Sequence, residues 1–234
     1  MAIAIDKLHD FIRGTIKKNY GGFISPADID RAINRAQFDL FDQLVENYKK
    51  TEKFDYDHLF LKQTAFTLAN NTSTKTLSSI DSNFIEAITF YFKDSSNNLH
   101  EGNLMKWDSF IDRKNSTITP PVINTSTSEF KPIATIYDGK IEVAPVPGAN
   151  TTFNFVLLYF RRPTDGKFEF TETNGVISQT TANVNNSVNL DWDERSFSDI
   201  ANRALTYLGF PIKDAELLQA ETVIDSNQIR DGNQ

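Results

Sequence analysis

The chain has no cysteine, three histidines and two methionines among its 234 residues. Without cysteine there is no disulfide and no thiolate metal site. His9, His58 and His100 are too far apart to share a helical turn, and no HExxH occurs. No apolar run approaches membrane-spanning length. The opening Met1-Ala2-Ile3-Ala4-Ile5-Asp6 contains no long apolar stretch, so no signal peptide is expected. A basic excess is missing too. Lysine and arginine total 24 against 31 acidic residues, a net charge of -7. That balance argues against a sequence-independent DNA-binding surface. Gly21-Gly22 lacks the lysine and hydroxyl residue of a phosphate loop and reads as a turn. There is no GxSxG motif and no evident Ser-His-Asp set. No catalytic residue, metal ligand or cofactor is assigned.

What is present is helical periodicity at both ends and a β-rich middle. Ile5, Leu8, Ile12 and Ile16 fall at helical spacing, which predicts a helix over Ile3 to Tyr20. Ser25-Pro26-Ala27-Asp28 opens a second one. Serine can accept the free N–H groups, proline suits the first helical position, and Asp28 faces the positive end of the dipole. Ile29, Ile33, Ala36, Gln37, Leu40, Phe41 and Leu44 form its apolar stripe, with Asp30, Arg31, Asn34 and Asp42 outside it. Tyr56 to Leu68 reads as helix or loop.

After Asn70 the chain turns to Thr, Ser, Asn and aromatics. Ile85 to Phe92 predicts a strand, and Lys106 to Phe110 another, with Leu104, Trp107 and Phe110 buried. Asp138-Gly139 suits a two-residue hairpin turn between Ile133–Tyr137 and Lys140–Val143. Phe153 to Phe160 is the most apolar strand and so an interior one, ended by Pro163. Val176 to Leu190 holds two weak alternating pieces. About six strands at this spacing suggest a small sandwich or open barrel. Helical signals return at Asp191, read as a cap with Glu194 three residues on. Phe197, Ile200, Ala201, Ala204, Leu205 and Leu208 make a buried face that ends at Gly209 and Pro211. A last helix is expected from Asp214, and a polar tail follows Asp225.

The fold expected is therefore α+β. N- and C-terminal segments form a helical bundle, with an antiparallel β-sandwich or open-barrel module inserted. The segments are residues 1–70, 71–190 and 191–234, and the faces at Ile29, Ile33 and Leu40 and at Phe197, Ile200 and Leu205 are each other's nearest partners.

Each polar cluster has a plain structural reading. Asp55-Tyr56-Asp57-His58 reads as a solvated helix start rather than a metal site. Asp191, Asp193 and Glu194 read as capping groups rather than a calcium loop or a carboxylate pair. Trp107 and Trp192 read as core residues, with Trp192 beside a helix cap. Arg161 and Arg162 are the candidate interface residues. Paired guanidinium groups at a strand end suit a carboxylate-rich neighbour, although a solvated strand end accounts for them equally.

The order of these elements resembles the head–tail connector (adaptor ring) proteins of tailed phages, of podovirus or crAss-like type. The resemblance rests on the capped helix Ser25 to Phe41 with its Ala36-Gln37 pair and on the Asp138-Gly139 hairpin. It rests also on the strand ending Arg161-Arg162-Pro163 and the closing helix ending Leu208-Gly209. It implies a non-enzymatic virion protein, assembled in the host cytoplasm as a subunit of a twelvefold ring. Its implied partners are further copies of itself, the portal protein and neighbouring tail or ring proteins. DNA would pass through the channel without specific binding, and no membrane is involved. A carbohydrate- or cell-surface-binding β-sandwich module is the alternative.

Overall fold

The computed structural model describes residues 2–20, 24–51, 59–124, 126–173, 176–178 and 181–210. In chain order these give β1 (Ala2–Ile3), α1 (Ile5–Tyr20), α2 (Pro26–Thr51), β2 (Leu61–Ala69), β3 (Thr74–Thr76) and β4 (Phe84–Lys93). Next come β5 (Leu99–Leu104), α3 (Trp107–Lys114), β6 (Val122–Asn124), β7 (Glu129–Lys131), β8 (Ile133–Tyr137) and β9 (Lys140–Ala144). The chain continues through β10 (Thr152–Arg161), β11 (Thr171–Thr173), β12 (Val176–Ser178), α4 (Thr181–Asn186), β13 (Leu190–Asp193) and α5 (Phe197–Tyr207). The fold is mixed α+β. It divides into two compact units, residues 1–55 with 163–234, and residues 56–162.

The terminal unit is built on α2. Its start follows the predicted chemistry: the Ser25 hydroxyl accepts the Asp28 N–H at 3.2 Å and donates to the Asp28 carboxylate at 2.6 Å. Ile29, Ile33, Ala36 and Phe41 are buried along its apolar stripe. α2 packs on α5, where Ile200, Ala201, Ala204 and Leu205 are fully buried, and α1 contacts both helices. α5 closes as read from Leu-Gly: Gly209 has φ +84°, and the Phe210 N–H reaches the Leu205 carbonyl at 2.8 Å.

This unit is nevertheless not made of helices alone. β1 pairs with β13, and β11 with β12, as two small antiparallel ribbons. The start of the last described helix also needs correcting. Asp191 lies in strand β13, and the helix begins later, through a 3-10 turn at Glu194–Ser196 capped by Asp193. Asp191 instead accepts the Thr164 N–H at 2.9 Å. Trp192 is buried, as expected. The segments expected to be helical from Asp214 and polar after Asp225 lie outside the described residues, as do Pro211, Gly21-Gly22 and Asp55–His58.

The inserted unit is built on a seven-stranded sheet with strand order β2-β10-β4-β5-β8-β9-β3, and it also holds the small β6–β7 ribbon and α3. The edge strands β2 and β3 are joined by only four residues, so the sheet curls until it is nearly closed. That corrects the sandwich alternative, which needs two separate sheets. It is also not wholly antiparallel, because β5 and β8 run parallel. Phe66, Leu68, Phe90, Phe92, Phe155, Leu157 and Tyr159 fill its concave side, with Ile141 and Val143. Such aromatic density explains Gly102: a Cβ there would lie 2.3 Å from the tip of the buried Phe90 ring. β10 is interior, as its apolar sequence requires, with β2 and β4 as neighbours.

Two local readings are overturned here. Tyr56 to Leu68, read as helix or loop, is mostly strand where it is described: a bend at residues 59–60 leads into β2, Leu61–Ala69. Lys106 to Phe110 opens helix α3 rather than a strand. Phe110 is buried, but Trp107 is 42% exposed, since the first turn of α3 turns it outward against Tyr137.

The Asp138-Gly139 hairpin is present. Both residues have positive φ, +45° and +66°, as a tight mirror-image turn demands. Gly139→Val should destabilise the fold by about 1–3 kcal/mol, because a β-branched residue resists that region. A thermal melt unchanged from the parent would contradict the assigned turn strain.

Candidate functional site

Arg161 ends β10 and Arg162 follows it, where the strand leaves regular pairing with β4 through register shifts. Alternation along β10 puts Tyr159 on the concave side and leaves Arg161 half-buried and Arg162 exposed. Arg161 lies beside Asp81, with Nε 3.6 Å from Oδ2. The Tyr159 hydroxyl donates to the same Asp81 oxygen at 2.8 Å and lies 3.1 Å from Thr64 Oγ1. Asp81 Oδ1 accepts the Asn83 N–H at 2.8 Å, and the Arg162 N–H donates to the Asn83 carbonyl at 2.8 Å. Burial, then the bond to Asp81, raises the Tyr159 phenol above its ordinary range. The arrangement orients Arg161 and anchors the strand end. It brings together no nucleophile with a base.

A cleft of about 550 Å³ opens in the same unit. Thr64, Ala65, Phe66 and Thr67 of β2 form one wall, and Lys75, Ser79 and Ile80 after the β2–β3 turn form another. Lys93 at the end of β4 and Asp94, Ser95 and Asn97 of the β4–β5 turn line it too, with Asn154 and Phe155. Asp94 is the most heavily bonded group there. His100 Nε2 lies 3.0 Å from its Oδ2, and since a carboxylate only accepts, that nitrogen carries the hydrogen. Asn98 donates through its amide and its backbone, and the Ser96 N–H donates as well. The His100 bond, followed by the Asn98 amide, holds the Asp94 carboxyl down at about 2.

That depression has a pH consequence. Asp94 contributes stability fully above its ordinary pKa of 3.8 and loses it as pH falls through about 2. His100→Ala should therefore raise the Asp94 pKa toward 3.8, read by carbonyl NMR titration. A midpoint still near 2 would show that the turn backbone, not His100, sets the value.

In the β8–β9 hairpin, Glu142 is buried and accepts from Lys114 at 2.6 Å and from the Tyr137 hydroxyl at 2.9 Å. The Glu142 bond is the main reason the Tyr137 phenol is raised. The Trp107 ring lies 4.3 Å from that of Tyr137.

In the terminal unit a polar row went unread in the sequence. Asp30, Asn34 and Gln37 lie at i, i+4 and i+7 on α2, one face of the helix. Asn34 donates to the Gly166 carbonyl at 2.8 Å and accepts the Gly166 N–H at 2.7 Å. Gln37 donates to the Thr164 carbonyl at 3.1 Å, and Asp30 accepts the Phe168 N–H at 3.1 Å. His9 lies 2.8 Å from Asp30 and stacks on Phe168 at 4.3 Å. His9 is fully buried, so this His–Asp pair holds the segment in place and is closed to a substrate. Asp191, Asp193 and Glu194 do not converge, since Asp191 and Asp193 are spent on backbone N–H groups. Among the described residues no group of three or more His, Asp or Glu side chains is placed to hold a metal ion.

Compared with known proteins, the chain matches no family model and no curated protein at a significant level. Among the described residues no helix is long and apolar enough to cross a membrane.

Proposed function

We propose that this chain is a structural protein of a phage virion, one subunit of a head-to-tail connector ring that joins the portal to the tail and lines the DNA channel. The observation that carries the reading is the division of the chain. The segments before Tyr56 and after Arg162 form one helix-bearing unit, and Tyr56–Arg162 fold as another. A ring closes through head-to-tail contacts that need two different surfaces on each subunit. Two units of different chemistry supply them. In this reading α1, α2 and α5 act as the bundle, and the curled sheet is the module it presents. The net charge of -7 suits a wall past which DNA slides, because a cationic wall would bind phosphate. The role is assembly without catalysis, and Arg161 and Arg162 serve a portal or inter-subunit contact through carboxylate partners.

The reading is tested by mixing the protein with portal rings and weighing the product by mass photometry. A stoichiometric complex is the expected result. A protein that ignores portal and neighbouring ring proteins contradicts it. One observation favours the alternative, a carbohydrate-binding module: the exposed Trp107 beside Tyr137 is the kind of aromatic surface on which sugars stack. Tight glycan binding that is lost in Trp107→Ala would move the assignment there.

A further inference from the structure

The cleft beside β2 is bounded by a strand edge. Among the described residues β2 has a hydrogen-bonded neighbour on one side only, β10. Its nine residues pair with β10 without a single register shift. An exposed edge is a ready template for another strand, and proteins commonly blunt it with bulges, proline or charge. β2 has no proline, no bulge and one charged residue, Lys62. Four consecutive residues, Thr64 to Thr67, line the cleft, so it presents backbone as well as side chains.

The charge of the cleft narrows the choice of occupant. Lys75 and Lys93 line it, and neither makes an ion pair among the described residues. The carboxylate in the cleft, Asp94, is already committed to His100, Asn98 and Ser96. The cleft thus offers unpaired ammonium groups beside an open strand edge. The chain itself carries 31 acidic against 24 basic residues.

We infer that the open edge of β2 receives an extended acidic segment from a second copy of this chain, which adds as a strand against Thr64–Thr67. Main-chain hydrogen bonds give such an addition its register, and the two lysines select carboxylates on the incoming strand. The inference rests on the reading that copies stand side by side in a ring, and it names the edge through which one copy holds the next.

The experiment uses the full chain, alone and with portal rings. Association is followed by mass photometry, and amide hydrogen exchange is followed on the associated protein. Association should protect the amides of Thr64–Thr67. The double variant Lys75→Glu, Lys93→Glu should melt like the parent yet associate about tenfold or more weakly, since it faces the incoming carboxylates with like charge. Salt should weaken the parent's association as well. A ring whose β2 amides stay unprotected, or a double variant that associates like the parent, overturns strand addition and leaves the ring reading intact. Protection that appears on portal contact without self-association assigns the edge to the portal and overturns the choice of a second copy. A chain that remains monomeric with and without portal rings overturns both.

Discussion

Leu205→Ala is expected to lower stability by about 2–5 kcal/mol, the range for truncating a fully buried leucine in a packed core. Leu205 is 0% exposed, and it lies on α5 with Ile200, Ala201 and Ala204 facing the same interior. α5 packs on α2, whose Ile29, Ile33 and Ala36 are also completely buried. Truncation removes apolar surface and leaves a cavity that two helices held at fixed spacing fill poorly. Urea unfolding measures the loss. A change below about 1 kcal/mol would mean that the site collapses freely, and the joining of the two chain ends would then not depend on this helix pair.

Asn34→Leu is expected to cost about 2–4 kcal/mol, although leucine is close to asparagine in size. The cost comes from what is left behind. Asn34 serves both the N–H and the carbonyl of Gly166, and its oxygen also accepts from Gln37 at 2.7 Å. Residues 164, 166 and 168 present their bonding groups along one edge of an extended segment, and Gln37, Asn34 and Asp30 meet them in turn. The polar row of α2 thereby takes the place of a neighbouring strand. The lengths agree: seven residues of helix rise about 10 Å, and four residues of strand about 13 Å. Gly166 completes the fit, because a Cβ there would lie 2.4 Å from Leu190 and 3.2 Å from Ile5. Gly166→Ala should destabilise as well, by about 1–3 kcal/mol from overpacking. Equilibrium unfolding that ranks Asn34→Leu with ordinary surface changes would contradict the clamp.

The features legible in the sequence are those that local chemistry dictates. Ser25-Pro26 capping, the Ile29 to Phe41 stripe, the Asp138-Gly139 turn and the Gly209 helix end each depend on residues within a few positions of one another. What was hidden depends on distant partners. Leu61, Ala65 and Leu68 sit at helical spacing, while Phe66 and Leu68 sit at strand spacing, and only pairing with β10 decides between them. Asp191 and Glu194 have the spacing of a capping box, but Asp191 is drawn away by the backbone of Thr164, more than twenty residues earlier. Asp30 and Asn34 read as the helix's polar side, and Gln37 as part of its apolar stripe. The segment this row grips lies over one hundred residues away. Of the candidate interface, the sequence placed Arg161 and Arg162 at a strand end, which the structure has. The Asp81 partner of Arg161 comes from the segment before β4, some eighty residues earlier in the chain, and left no local signal.

The proposed ring between portal and tail is open to negative-stain imaging of the protein bound to portal rings, or of a virion stripped to its connector. The expected image is a closed ring of copies, twelvefold by the resemblance to connector proteins, stacked on the portal and coaxial with it. Images in which the protein decorates the tail periphery, or stays as separate monomers beside bare portals, would contradict it.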